Sequence, residues 1–393
     1  MGRNVVLITL DSLRADHCSI YGYPRCTTPT LDKMGKNGLL FLNATSASVP
    51  TGPSIYTLFT GKFCPIGSDI FIGEVWRKHY RNSRTLADIF RRNNYFTAAV
   101  HANPYVSRYF GVNKGFICFH DFINDFQLKT LTAPTFLNNV FNSIYNLVRR
   151  EGTNLVWEKY YDHILEVLRA AKNRPYFLWI LLLDTHTPYL PPNKKWCKCS
   201  DLKLMYYYWK LERRNWYGAV SEFPHIIDAY DDGIYYADKF IKSLYSDLKS
   251  TDPIFIIHAD HGDGFGEHGF YRHPPKLYDE LIHVPLIIFN SDFKGNIDYP
   301  ISLKDLYYII PKLALYKSTD IACIPNKFYT ISKVITKFGC IRCIRTKKWK
   351  FILGQKSVPE LYNLSVDPAE QNNVYSQYPN LVHEFKKLIK RKL

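Results

Sequence analysis

Apolar residues run almost without interruption at 4–10, 95–101, 176–183, 253–258 and 284–289, and amphipathic stretches lie between them near 53–60, 84–93, 134–149, 155–171 and 225–248. A strand that is apolar at every position, rather than at alternate ones, is covered on both faces, and the intervening helices provide the cover. The pattern therefore predicts an α/β fold with a mostly parallel sheet flanked by helices. Near Pro300 the texture changes to a short helix around 302–313, brief β-rich pieces around 328–335, 340–346 and 349–353, and a closing helix at 380–391. Two units are expected, a large α/β domain over 1–299 and a small C-terminal α+β subdomain over 300–393.

The 393 residues, 46% hydrophobic and 16% aromatic, are enough to bury a large core with an appendage. The longest apolar run, 176–183, is far too short to span a bilayer, and a first strand at about Asn4 leaves no room for a secretory signal, so a cytoplasmic protein without a transmembrane segment is expected. Nine cysteines then read as reduced thiols. The pairs Cys197/Cys199 and Cys340/Cys343 leave a tetrathiolate zinc site as an alternative to scattered structural thiols. A formal charge of +16 suits an anionic partner. The basic clusters are short and no nucleic-acid motif accompanies them, which points to a small anionic substrate rather than nucleic acid.

The candidate chemistry sits at strand ends. Asp11 closes the run 4–10, and Asp260-His261-Gly262 follows the run 253–258. Open α/β sheets bind ligands at the carboxyl edge of their strands, so these two ends predict one shared metal site. Between them, Val49-Pro50-Thr51-Gly52-Pro53-Ser54 reads as a loop entering a helix, with Pro53 at its first position and Gly61 near its end. Thr51 would stand just before that helix, where free N–H groups and the dipole favour an anion, a seat suited to a nucleophile. Taken singly, Asp11 and Thr51 also read as caps and Asp260-His261-Gly262 as a tight turn.

Taken together, in order along the chain, these stretches carry a resemblance. With Tyr21-Gly22-Tyr23-Pro24, Thr28-Pro29-Thr30-Leu31-Asp32, Asp184-Thr185-His186-Thr187-Pro188, Gly266-Glu267-His268-Gly269 and Asp367-Pro368-Ala369-Glu370-Gln371, the chain resembles the sulfatase family of the alkaline phosphatase superfamily, metal-dependent hydrolases of phosphate and sulfate esters. The resemblance implies that Asp11, Asp260 and His261 hold one divalent ion with Thr51 as a further ligand. It implies His186 as leaving-group acid, His273 as the group steadying the ester anion with Lys276 second to it, and His268 as a possible ligand of a second ion. His101 and Asn103 stand where relatives carry a substrate-binding Lys-Trp-His element that is missing here. The C-terminal unit resembles the family's short antiparallel sheet with a helix. Residues 112–175 and 193–222 match no motif and are expected to set substrate choice.

Two departures matter. The family's second metal aspartate is Ser12, which leaves Asp16 or a water to complete the shell, and oxygen ligands with one imidazole fit Mn²⁺, Mg²⁺ or Zn²⁺ better than Ca²⁺. At the nucleophile, sulfatases carry Cys or Ser followed by X-Pro-Ser-Arg and oxidise it to formylglycine, whereas this chain has Thr51-Gly52-Pro53-Ser54-Ile55. Threonine cannot form that aldehyde, so no formylglycine is expected. A phosphothreonine is readily hydrolysed with metal help, while a sulfated threonine must be attacked at sulfur, so phosphate esters and diesters are favoured over sulfate esters. A phosphoryl transferase and a noncatalytic anion-binding protein are the other readings. The basic charge and 30 tyrosines suit a small anionic ester, sugar- or lipid-linked. Metal identity and oligomeric state are not fixed by these residues.

Overall fold

A computed structural model describes residues 2–67, 70, 72–123, 155–212, 221–316, 324–355 and 357–392. In chain order the strands are β1 (Val5–Leu10), β2 (Leu39–Phe41), β3 (Ala44–Thr45), β4 (Phe96–His101), β5 (Cys118–Asp121), β6 (Tyr176–Leu182), β7 (Ile254–Ala259), β8 (Gly264–Phe265), β9 (Tyr271–Arg272), β10 (Leu286–Phe289), β11 (Gly295–Ile297), β12 (Ile301–Ser302), β13 (Thr330–Thr336), β14 (Gly339–Arg345), β15 (Trp349–Leu353) and β16 (Glu360–Asn363). Eight of them form one sheet in the order β11-β2-β10-β7-β1-β6-β4-β5. Strands β7, β1, β6, β4 and β5 run parallel, and β10 is antiparallel to both of its neighbours. Every residue of β1, β4, β6 and β7 is buried, which is why their sequences are apolar throughout.

Helices cover both faces. Helix Phe223–Leu248 contributes Ile226, Tyr230, Ile234, Phe240 and Leu244 to the core, at helical spacing. The predicted helix 134–149 lies outside the described residues. Helices Pro29–Asn37, Gly73–Arg81 and Asp201–Glu212 were not evident in the apolar pattern. Ile301, Leu306, Ile309 and Ile310 pack into the same core as the eight-stranded sheet.

Strands β13 to β16 form an antiparallel meander. One face, with Ile344, Phe351 and Leu361, is covered by Val382, Phe385 and Ile389 of helix Pro379–Lys392. The other face, with Val334, Cys343, Ile352 and Tyr362, lies on Val49, Phe270, Leu277 and Leu281. A buried ion cluster joins the two units: Asp279 accepts from Arg345 at 2.9 Å and from Lys350 at 2.8 Å, and Lys350 also lies 2.8 Å from Glu370. Burial opposes the charge on Asp279, but the two cations hold its carboxyl far below the usual range.

The meander also braces the segment that leads to Thr51. Lys333 N–H donates to Ala47 O at 2.9 Å, Ser332 Oγ to Ser46 O at 2.6 Å and Ser48 Oγ to Lys333 O at 2.7 Å.

Candidate metal-dependent active site

The carboxyl ends of four adjacent parallel strands converge on one place. Asp11 follows β1, Asp260 and His261 follow β7, Asp184 to His186 follow β6, and Asn103 follows β4. Against this edge stands helix Thr51–Thr60, buried along its whole length. It begins at Thr51, two residues before the position predicted, with Pro50 as its N-cap and no side chain capping its first N–H groups. Those groups and the positive end of the dipole remain for an anion. A Cβ at position 52 would come within 3.3 Å of the Trp76 ring, which would have to give by a few tenths of an ångström.

Thr51 Oγ1 lies 3.1 Å from His261 Nε2 and 3.5 Å from Asp11 Oδ2. His261 Nδ1 donates to Gly262 O at 2.9 Å, which leaves the Nε2 lone pair facing Thr51 and the carboxylates. That nitrogen is 3.5 Å from Asp260 Oδ2 and 3.9 Å from Asp11 Oδ1. Asp11, Asp260 and His261 each offer a ligand atom within 4.8 Å of the others, and all three have 0% exposure.

Among the described residues, no lysine or arginine pairs with these two carboxylates. Asp260 Oδ2 is buried with no hydrogen-bond partner. Burial, and then the nearby Asp260 charge, push Asp11 up to about 7, while burial pushes Asp260 up to about 6. An orphaned oxygen, two facing carboxylates and one bare imidazole nitrogen fit a divalent cation.

The Sulfatase family profile matches residues 3–314. The chain belongs to the sulfatase family. Arylsulfatase K of Mus musculus is 24% identical over 448 residues, covering 97% of this chain and 77% of the relative. Phosphoethanolamine transferase EptA of Helicobacter pylori is 26% identical over 309 residues, covering 74% of this chain and 48% of the transferase. Among solved structures, the phosphonate monoester hydrolase of Agrobacterium radiobacter superposes with a TM-score of 0.68 over 99% of this chain and 95% of that one, at 16% identity. This chain is thus a sulfatase-like ester hydrolase built on the family's fold.

Several residues of this sulfatase-family site differ from the expectations drawn from sequence. Ser12, with φ of +67°, supplies no third carboxylate; its Oγ donates to Asp11 Oδ1 at 3.0 Å and its N–H to Asp260 Oδ1 at 3.1 Å. Asp16 does not complete the shell, because Arg14 holds both its oxygens at 2.9 and 2.7 Å. Asn103, expected at the substrate, donates to Asp11 Oδ2 at 2.6 Å and so orients that carboxylate.

His101 is a correction. It has 0% exposure, packs edge-on to Phe119 and against Trp179, and neither ring nitrogen has a partner. It is placed as a core histidine, without a face open to solvent. Lys276 lies over the rings of Phe270 and Tyr278 at 4.9 and 5.7 Å, beside the C-terminal sheet rather than with His273. His268 donates from Nδ1 to Glu280 at 2.6 Å and from Nε2 to Glu370 O at 3.0 Å, which leaves it no lone pair for a second metal. The four cysteines form no cluster: among the described residues, the group suited to a metal is Asp11, Asp260 and His261. No helix among the described residues is long and apolar enough to cross a membrane.

Burial drives His101 down to about 4, so the fold excludes its charged form. A histidine neutral in the fold but charged when unfolded keeps its full stability above pH 6.5 and loses it as pH falls toward the folded value. At pH 5 this residue alone should cost about 2 kcal/mol. His101→Phe is expected to flatten the loss of stability between pH 7 and 5, as measured by urea unfolding at each pH. An unchanged slope would place the titration elsewhere.

Sequence reasoning missed Asp263. Fully buried, it accepts from His273 Nδ1 at 2.5 Å and from the Tyr189 hydroxyl. Burial alone would raise its pKa, but His273, His186 and Tyr189 outweigh that and hold it down at about 2. Only its position three residues after Asp260 hinted at a role. The rings of His273 and His261 are 4.5 Å apart, and those of His273 and His186 are 5.3 Å apart.

Proposed function

We propose that this sulfatase-family hydrolase cleaves phosphorus esters, phosphodiesters or phosphonate monoesters, with Thr51 as its nucleophile and without formylglycine. The observation that carries the reading is the Thr51 hydroxyl at the first turn of a buried, uncapped helix, 3.1 Å from His261 and 3.5 Å from Asp11. A divalent ion held by Asp11, Asp260 and His261, when bound, supplies positive charge to the nucleophile and the ester oxygens.

The protein's own residues do the rest. The N–H groups of the Thr51 helix face the ester's equatorial oxygens. His186 was expected to protonate the leaving oxygen, but its Nδ1–H donates to Thr187 O at 2.6 Å, and burial, helped by His273, drives it down to about 3. His186 is therefore neutral with a bare Nε2, an acceptor. His273 is the better placed acid, because Asp263 fixes its ring through Nδ1 at 2.5 Å, with the ring 4.5 Å from that of His261. Asp263 thereby acts as a positioning residue, and Asn103 and Ser12 position Asp11.

Threonine also supports phosphorus over sulfur, since water can cleave a phosphothreonine at phosphorus while Thr51 cannot expel sulfate by collapsing to an aldehyde. The eight described cysteines are unpaired, which supports a reducing, cytoplasmic setting. The substrate is a small anionic ester, sugar- or lipid-linked.

The test is parallel hydrolysis of bis(p-nitrophenyl) phosphate, p-nitrophenyl phenylphosphonate and p-nitrophenyl sulfate by the Mn²⁺-loaded protein. Turnover of the phosphorus esters above the sulfate is expected. Faster sulfate turnover would overturn the preference and leave the family assignment standing.

A further inference from the structure

One polar atom of helix Phe223–Leu248 reaches the turn that follows β1. The hydroxyl of Tyr230, a residue with 0% exposure, donates to Ser12 O at 2.8 Å and accepts from the Arg14 N–H at 2.8 Å. A single oxygen thus closes the turn Ser12-Leu13-Arg14, using both its donor and its acceptor capacity. The ring that carries it is packed against His17, Tyr189 and Phe265, with centroids 5.1, 5.0 and 5.1 Å away.

What the turn holds is a strained residue. Ser12 has a φ of +67°, in a region that glycine enters freely and serine does not. Such a conformation persists where its surroundings impose it. It aims both donors of Ser12 at the metal carboxylates, the N–H at Asp260 Oδ1 at 3.1 Å and the Oγ at Asp11 Oδ1 at 3.0 Å. The His261 N–H donates to the same Asp260 oxygen at 2.9 Å, so Oδ1 is doubly engaged and Oδ2 is the oxygen left bare. On the other side of the turn, Arg14 donates to the main-chain oxygen of Asp263, the partner of His273, at 3.1 Å.

We propose that Tyr230 is a positioning residue for the metal: its hydroxyl imposes the left-handed Ser12 that turns Asp260 Oδ2 toward the ion and fixes Asp11 beside it. Without the hydroxyl, a buried carbonyl and a buried N–H lose their partner, and the turn gains by relaxing to a conformation in which Ser12 no longer reaches both carboxylates. The inference rests on the metal-binding reading of Asp11, Asp260 and His261, and is independent of whether the ester is one of phosphorus or of sulfur.

Metal affinity tests this, with a matched control. Tyr95 is also buried, and its hydroxyl also serves two main-chain partners, Arg3 O at 3.0 Å and Ala314 O at 3.3 Å, at the opposite edge of the sheet. Tyr230→Phe and Tyr95→Phe would each be titrated with Mn²⁺ by calorimetry, in trimethylamine N-oxide so that loss of a buried bond does not unfold either chain. Tyr230→Phe is expected to weaken Mn²⁺ binding by about tenfold to hundredfold, the usual cost of removing a residue that orients a metal ligand, and Tyr95→Phe to leave it unchanged. With Co²⁺ in place of Mn²⁺, the visible spectrum should shift in Tyr230→Phe and not in Tyr95→Phe, a signature that a general loss of stability does not produce. In the Mn²⁺-loaded wild type, the Ser12 and Arg14 amides should be among the slowest to exchange with deuterium. Equal affinity in Tyr230→Phe and the wild type, equal weakening in both variants, an unshifted Co²⁺ spectrum, or fast exchange at Ser12 and Arg14 would each overturn the proposal while leaving the metal site standing. A wild type that binds no Mn²⁺ would overturn the metal reading and this proposal with it.

Discussion

Thr51→Ala is expected to lower kcat for the best ester by about 10⁴-fold, because removing a covalent nucleophile leaves only binding and charge stabilisation. The protein itself should survive the change. The residue is 4% exposed and its hydroxyl meets only site groups, so the loss of stability should be about 1 kcal/mol. Metal affinity should fall little, since two carboxylates and an imidazole remain. Thr51→Ser keeps the hydroxyl at the same helix turn and should keep most of the activity. Steady-state kinetics beside calorimetric melting distinguish these outcomes. An alanine variant that still turns over at the wild-type rate would remove Thr51 from the chemistry and shift the nucleophile to water.

The second large effect concerns metal and pH. Folded Asp11 and Asp260 titrate at about 7 and 6, above the ordinary 3.8, because both are buried and Asp11 also faces Asp260. Folding without metal therefore favours their protonated forms. That contribution is complete below pH 3.8 and is lost as pH rises through 6 and 7, amounting to several kcal/mol at pH 8. A divalent ion replaces the protons. Saturating Mn²⁺ should raise the melting temperature little at pH 5 and strongly at pH 8. Buried neutral histidines such as His101 and His258 act in the opposite sense, but their effect cancels when metal-loaded and metal-free protein are compared at one pH. Asp260→Asn should abolish the metal-dependent gain and raise the melting temperature of the metal-free protein at pH 8, because it removes one buried charge. A gain from Mn²⁺ that is the same at pH 5 and pH 8 would show that these carboxylates are not its ligands.

The parallel strands were readable from sequence because burial on both faces demands apolar residues at every position, as in β1 and β6. Strand β5 was not, since its Cys118-Phe119-His120-Asp121 is only half buried at the sheet edge. The short antiparallel β16 was missed because four residues carry too little pattern. In the site, residues at strand ends stood out, and Asp11, Thr51, Asp260 and His261 do meet. Roles that depend on a partner did not. Asn103 stood out as a substrate-binding candidate, but its hold on Asp11 at 2.6 Å was not legible, and Asp263 reads as a turn residue until His273 is found on it. His101 misled because a strand-end histidine looks functional, while the aromatic cage of Phe119 and Trp179 comes from other parts of the chain.

The bracing of residues 46–48 by β13 fixes an order of events during synthesis. Thr51 and its approach are translated early, but Ser332 and Lys333, which hold that approach, emerge almost three hundred residues later. The parallel sheet can assemble on the ribosome while Thr51 still lacks its support. A growing chain thus carries Asp11, Thr51, Asp260 and His261 before the segment leading to Thr51 is braced by the last sheet.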